Sequence, residues 1–258
     1  MASHSPLFAI EGRVALVTGG SRGIGRALAS GLLEAGCAVV VNGRDTAALD
    51  RTRGELADAT GGTVHAVAFD VTDAEAVSRG VAAAEEVAGP LDILVNNAGL
   101  QHRAPLLDFP DDAWRHLLDT NLTSAYLVGR AAARRMIPRG HGKIINICSL
   151  QSEVARPGIA AYAATKGALK MLTKGMCADW APHGLQVNGL GPGYIRTELT
   201  RPLVDDPDFT AWVRRRTPAG RWGDPGDLIG ALLFLASPAS DFVNGQIIYV
   251  DGGMSSVL

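Results

Sequence analysis

The chain has 258 residues, 47% of them hydrophobic, with 31 glycines and a formal net charge of −2. That length supports one large buried core, and the near-neutral charge removes any electrostatic case for a nucleic acid or an anionic membrane as partner. Cys37, Cys148 and Cys177 stand far apart inside apolar patterns, which reads as three reduced core thiols and not as a disulfide or metal framework.

Residues 1–10 carry no basic region followed by a long apolar run, so no leader is expected. No window approaches the length and apolarity of a membrane span. The expectation is a cytoplasmic protein.

In chain order, short apolar runs alternate with helical patterns. Strands are expected at 13–18, 37–42, 63–69, 91–95, 143–148, 185–190 and 246–250. Helices are expected at 24–35, 46–59, 73–88, 111–137, 161–181 and 225–235. Asp45, Thr72 and Asp224-Pro225 signal helix starts, and Gly36 and Gly61 signal stops. Strand–helix alternation with near-continuous apolar strands predicts a doubly wound α/β fold of the Rossmann type. About seven parallel strands would carry helices on both faces. No repeat or linker interrupts the chain, so 1–258 reads as one domain. The rhythm breaks at 194–222, where three prolines and a weakly helical middle at 209–216 suggest a lid or binding segment, with a surface insertion as the plain alternative.

The first strand runs directly into Gly19-Gly20-Ser21-Arg22-Gly23-Ile24-Gly25, followed by helix. Glycines at such a turn bring backbone N–H groups and a helix N-terminus to a pyrophosphate. The spacing is G-x-x-x-G-x-G and departs from the commoner G-x-G-x-x-G. Where an NAD-binding chain usually places an acid for the ribose 2′-hydroxyl, at the end of the second strand, this chain has Gly43 followed by Arg44. Arg44 and Arg22 are available as charge-assisted donors to a 2′-phosphate. Asp45 is better read as the next helix's N-cap. NADP(H) is therefore preferred, with NAD(H) as the alternative.

The segment 143–170 carries the reactive groups. An apolar strand ends at Ser149, and an Ala-rich helix then presents Tyr162 and Lys166 one turn apart on one face. A phenol, an ammonium and a hydroxyl can meet there around one substrate oxygen. Each residue alone is ordinary: a packing tyrosine, a solvated lysine, a strand-end serine.

With the glycine loop, Ser149, Tyr162 and Lys166 in one frame, the chain resembles the short-chain dehydrogenase/reductase family. Asn96-Asn97-Ala98-Gly99, Asn121 and Pro192-Gly193 stand in the family's order and spacing as well, and the match covers nearly the whole chain. The resemblance implies a catalytic set of Asn121, Ser149, Tyr162 and Lys166. Asn121 would hold a water in a proton relay through its carbonyl. It implies cofactor contacts from Gly19, Ser21, Arg22, Gly23, Ile24, Gly25, Arg44, Asp70, Val71, Asn97, Ala98, Gly99, Tyr162, Lys166, Pro192, Gly193, Ile195 and Thr197. Tyrosine titrates near about pH 10 and is a poor base at neutrality. An adjacent Lys166 ammonium is expected to lower that value.

Beyond the cofactor motifs, the chain resembles the gluconate 5-dehydrogenase branch of the family. The similarity runs through 96–103, 145–153, 171–177, 216–225, 241–245 and 251–254. It implies a sugar-acid substrate. Arg103 is then a candidate clamp for the carboxylate, with Gln151 and Glu153 as polar partners beside Ser149 and Tyr162. Arg156 is equally well a solvated loop residue. Reduction of a 3-oxoacyl thioester or another polyol is the alternative, with Phe109, Trp114 and Trp212 lining a more apolar pocket; a non-catalytic dinucleotide-binding regulator is a third. No metal site is expected, since the histidines pair with no ligand-spaced Cys or carboxylate. Relatives are commonly homotetramers built through the helices at 111–137 and 161–181 and through C-terminal segments.

Overall fold

The computed structural model describes residues 6–257. The start of the stretch read as lacking a leader and the final residue of the apolar C-terminal segment lie outside them. Seven parallel strands form one sheet: β1 (Val14–Val17), β2 (Ala38–Gly43), β3 (Val64–Ala68), β4 (Ile93–Asn96), β5 (Gly142–Ile147), β6 (Leu185–Pro192) and β7 (Ile247–Val250). Their spatial order is β3-β2-β1-β4-β5-β6-β7. The order reverses between β1 and β4, which opens a crevice at the carboxyl ends of the strands, where such sheets bind ligands.

The helices are α1 (Gly23–Glu34), α2 (Thr46–Thr60), α3 (Ala74–Ala88), α4 (Asp111–Leu118), α5 (Ser124–Met136), α6 (Ala160–Trp180), α7 (Arg201–Val204), α8 (Pro207–Arg216) and α9 (Ile229–Ala236). Period-two alternation divides the core between the sheet's faces. Ala15, Val17, Val39 and Val41 pack with Leu28 and Leu32 of α1 and with Leu232 and Leu235 of α9. Val14, Leu16, Val40 and Leu94 pack with Val81 of α3, Val128 and Ala132 of α5 and Met176 of α6. Gly31 permits the close crossing of α1 and α9, since a Cβ there would stand 2.7 Å from Ile229 Cγ2.

Three expected boundaries change, each for a local reason. The start expected at Thr72 belongs to Asp73, whose carboxylate accepts from the N–H groups of Glu75 and Ala76; Thr72 instead donates to Asp70. The single helix expected over 111–137 is two helices joined by a π-turn, Asp119–Thr123. The weakly helical middle of 194–222 holds two helices, α7 and α8, the second capped by Asp206. Asp45 caps α2 through Ala48 N–H, and Gly61 ends it in the left-handed conformation. All three cysteines are free thiols; Cys37 and Cys148 are buried and Cys177 is partly so.

Candidate active site

The glycine turn sits at the end of β1, facing the end of β4. Gly19 and Gly23 adopt φ of 62° and 54°, in the left-handed region that a side chain would strain. A Cβ on Gly25 would overlap Asn97 Nδ2 and the Gly19 carbonyl oxygen, so only glycine lets α1 begin this close to the loop. Thr18 stitches the two strand ends together. Its Oγ1 accepts from Asn97 N–H (3.0 Å) and Ala98 N–H (3.1 Å), while Asn97 Nδ2 donates to the carbonyls of Thr18 (2.9 Å) and Gly19 (3.1 Å). The amide of Asn97 is thus spent on the loop itself. Arg22 occupies the N-cap of α1 in extended backbone and makes no side-chain cap, which leaves the first-turn N–H groups for an anion.

At the far end of this cradle β2 stops at Gly43. A Cβ there would stand 3.7 Å from Ser21 Oγ, so the position of the usual acid is a glycine beside a hydroxyl. Arg44 is exposed and lies 3.8 Å from Asp70 Oδ2. Asp70 itself accepts from the N–H and hydroxyl of Thr72. Those two bonds hold its carboxyl below the usual range, and Arg44 adds to the effect. Val71 is buried next to it. The donors and the glycines fit a dinucleotide with a phosphate at the 2′ position. On the opposite wall, Pro192 is buried and Gly193 packs against Asp251. Ile195 is buried, and its carbonyl accepts from Thr200 Oγ1 (2.7 Å). Thr197 Cβ is 3.9 Å from where a Cβ on Gly23 would stand, which brings this loop across the glycine turn. Ile24 turns inward to the core.

The reactive groups gather past the end of β5. Ser149 caps a short turn (Leu150–Ser152) whose Ser152 hydroxyl donates to the Lys166 carbonyl (2.9 Å), tying the turn to α6. Ser149 Oγ donates to Gln151 Oε1 (2.5 Å) and accepts from Gln151 N–H (3.2 Å). Lys166 is buried, and its Nζ donates to the Ile147 carbonyl (2.7 Å). Burial drives its pKa down to about 8. The ammonium stands 5.8 Å from the centroid of the Tyr162 ring.

The expected lowering of the Tyr162 phenol by Lys166 is not what this geometry produces. Burial raises the phenol above its ordinary value; the Ser149 hydroxyl and the Arg103 charge oppose that rise, while Cys148 adds to it. Lys166 is engaged with the Ile147 carbonyl instead. A phenol held protonated is the form that donates to a substrate oxygen.

Asn121 lies in the π-turn and is buried. Its Oδ1 accepts from Leu100 N–H (2.8 Å), and its Nδ2 donates to the Leu100 carbonyl (2.9 Å) and to Thr165 Oγ1 (3.2 Å). Thr165 donates in turn to the Tyr162 carbonyl (2.8 Å). The side chain of Asn121 therefore links the strand-4 loop to the helix that carries the phenol, and the π-turn re-aims the backbone beside it. Thr165 escaped the sequence reading, although a hydroxyl three residues after Tyr162 on the same helix was the available signal.

The substrate-side residues divide. Gln151 lies on Ser149. Arg103, held by Gln101 Oε1 (3.0 Å), acts on the charge of Tyr162. Gly99 approaches Asn121 Oδ1. Glu153 pairs with Lys170 and accepts from the Tyr249 hydroxyl (2.6 Å). Phe109 packs edge-on between His102 and Trp114, whereas Trp212 joins an aromatic cluster with Tyr194, Phe209 and Trp222. Tyr194, also missed, accepts a hydrogen bond from Arg156 Nε (3.0 Å). Among the described residues no group of His, Cys, Asp and Glu is arranged to hold a metal ion, and no helix is long and apolar enough to cross a membrane.

A family model for enoyl-(acyl carrier protein) reductase matches residues 19–255. Gluconate 5-dehydrogenase of Gluconobacter oxydans (strain 621H) is 57% identical over 253 residues, covering 98% of each chain. The 5-keto-D-gluconate 5-reductase of Escherichia coli (strain K12) is 48% identical over 252 residues, covering 96% of this chain and 97% of that one. The crystal structure of a gluconate 5-dehydrogenase from Burkholderia cenocepacia J2315 in complex with NADP and tartrate is 55% identical and superimposes with a TM-score of 0.95, covering 98% of this chain and 99% of that one. The ordered motifs, the seven-stranded parallel sheet and these similarities agree that the chain belongs to the short-chain dehydrogenase/reductase family.

Proposed function

We propose that the protein transfers a hydride reversibly between NADP(H) and a sugar acid, interconverting D-gluconate and 5-keto-D-gluconate, with Tyr162 as general acid and base. The observation that supports the reading most is the Ser149 hydroxyl acting on the Tyr162 phenol, with the Lys166 ammonium 5.8 Å from the centroid of its ring. The similarity to gluconate 5-dehydrogenases over 98% of the chain supports the substrate.

Gly19, Ser21, Gly23, Gly25 and the start of α1 would hold the pyrophosphate. Arg22, Arg44 and Ser21 would meet the 2′-phosphate, and Asp70, Val71, Asn97, Ala98 and Gly99 would line the adenosine and ribose. NADP in the Burkholderia relative agrees with that preference. Pro192, Gly193, Ile195 and Thr197 would border the nicotinamide. The cofactor supplies the hydride chemistry.

The protein's own residues manage the proton. In reduction Tyr162 donates its phenolic proton to the carbonyl oxygen, and Ser149 steadies that oxygen as charge develops on it. Lys166 and the Asn121 carbonyl, through water, return a proton to Tyr162. In oxidation the path runs backwards. Arg103 binds the carboxylate, and Gln151 sets Ser149. Residues 194–222 act as a lid on a single domain spanning 1–258. A cytoplasmic homotetramer completes the reading on family likeness.

Tyr162→Phe tests it. Oxidation of NADPH by 5-keto-D-gluconate should fall by at least about 10²-fold, with NADPH binding retained. Near-normal turnover would refute the acid–base role. Turnover of an acetoacetyl thioester but of no keto-sugar acid would refute the substrate.

A further inference from the structure

Two guanidiniums at the mouth of the site lack a counter-charge. Among the described residues neither Arg103, which is exposed, nor Arg156 has a carboxylate within 4.0 Å; Arg13, Arg130, Lys166 and Arg216 likewise have none. Arg156 is half-buried, yet everything that holds it is neutral. Its Nε donates to the Tyr194 hydroxyl (3.0 Å), its Nη1 donates to the Pro157 carbonyl (3.2 Å), and its Cζ lies 5.2 Å from the centroid of the Phe209 ring. Tyr194 is fixed in turn by edge-on packing against Phe209, Trp212 and Trp222, with ring centroids 5.6–5.7 Å apart. The guanidinium is thus aimed and partly desolvated before any anion arrives, and its Nη2 makes no hydrogen bond to a described residue. A cation prepared this way favours an anionic ligand.

The two arginines reach the site from different strands. Arg103 follows β4 and is braced by Gln101; the group that braces Arg156, Tyr194, follows β6. Arg156 itself follows β5, beyond the Ser149 turn, and its charge reaches the Arg103 guanidinium. We infer that Arg156 is a second anion anchor at the mouth shared with Arg103, and that the pocket binds hydroxy-dicarboxylates with one carboxylate on each arginine. The two charges share one field: burial and Arg156 hold the Arg103 guanidinium below its ordinary value, while Tyr194 and Tyr162 act the other way. An anion at each end of one ligand relieves that repulsion. The inference builds on the sugar-acid reading of the site but does not require turnover.

Calorimetric titration of the NADP-loaded protein with D-glucarate, tartrate and D-gluconate tests it. Both dicarboxylates should bind. Arg156→Gln should weaken them at least about tenfold while leaving gluconate within about threefold, and Arg103→Gln should weaken all three. Arg156→Lys, which keeps the charge without the planar fork, should fall between wild type and Arg156→Gln and serves if the glutamine variant does not fold. Absence of dicarboxylate binding, or an equal loss of gluconate and dicarboxylates in Arg156→Gln, would overturn the inference; the latter would mean that the arginines share one carboxylate. Arg156-dependent glucarate binding by a protein that neither binds nor oxidises gluconate would support the anchor and refute the gluconate reading.

Discussion

Replacing Lys166 by methionine should stabilise the protein at neutral pH while removing its activity. Lys166 is 5% exposed, and its ammonium has one hydrogen bond, to the Ile147 carbonyl at 2.7 Å. Burial lowers its pKa from 10.5 to about 8. At about 1.4 kcal/mol per unit, that depression corresponds to roughly 3 kcal/mol held against the charged form. Methionine has similar length and no charge to desolvate, but it gives up the bond to Ile147, worth about 1.5 kcal/mol. The net gain at neutral pH is therefore about 1–2 kcal/mol. The sign with pH follows from the depressed value. Below about 8 lysine is protonated in both states and the folded state bears the whole penalty. Between about 8 and 10.5 the unfolded chain binds more protons, so wild-type stability rises with pH. Urea unfolding of both proteins at about pH 7 and about pH 9.5 measures the gap, which should shrink at the higher pH. A variant less stable than wild type at neutral pH, or a gap that does not change with pH, would refute the reasoning.

Three further predictions concern the cradle, the linker amide and the phenol. Gly25→Ala drives a methyl into Asn97 Nδ2 and the Gly19 carbonyl, which should cost about 2–4 kcal/mol by overpacking and lost hydrogen bonds. NADPH affinity should collapse with it; Gly54→Ala on α2, with nothing within 4 Å, should instead stabilise by about 0.5–1 kcal/mol, and thermal melts with fluorescence titration compare the two. Asn121→Ala leaves both backbone groups of Leu100 without their side-chain partner and frees Thr165. Chemical denaturation should show a loss of about 2–4 kcal/mol, and a loss below 1 kcal/mol would mean that water replaces the amide. Burial keeps the Tyr162 phenol protonated beyond the ordinary range, so single-turnover oxidation should accelerate as pH rises above neutral while reduction does not. A flat oxidation profile between about pH 7 and pH 10 would contradict this.

The local parts of the molecule were readable in sequence. All seven strands stand where short β-branched runs predicted them, and Asp45 and Gly61 end α2 as their chemistry requires. Those features depend on neighbours within a few residues. The helix over 111–137 was misread because one extra residue in a π-turn barely disturbs an apolar face, and its effect is seen only where Asn121 reaches Leu100 and Thr165. Glu153 pairs with Lys170 and accepts from the Tyr249 hydroxyl, partners 17 and 96 residues away that no local pattern reveals.

The catalytic segment shows the division most clearly. Ser149, Tyr162 and Lys166 are close in the chain, and helix periodicity alone places the last two on one face; an acid–base site was legible from that spacing, and the reaction type from the resemblance to the family. Tertiary structure decided the electrostatics. The phenol is raised, the ammonium is committed to Ile147, and Arg156 is braced by Tyr194 from a different strand. Spacing along a chain fixes which groups can be neighbours, whereas desolvation and long-range pairing depend on what the rest of the fold packs around them.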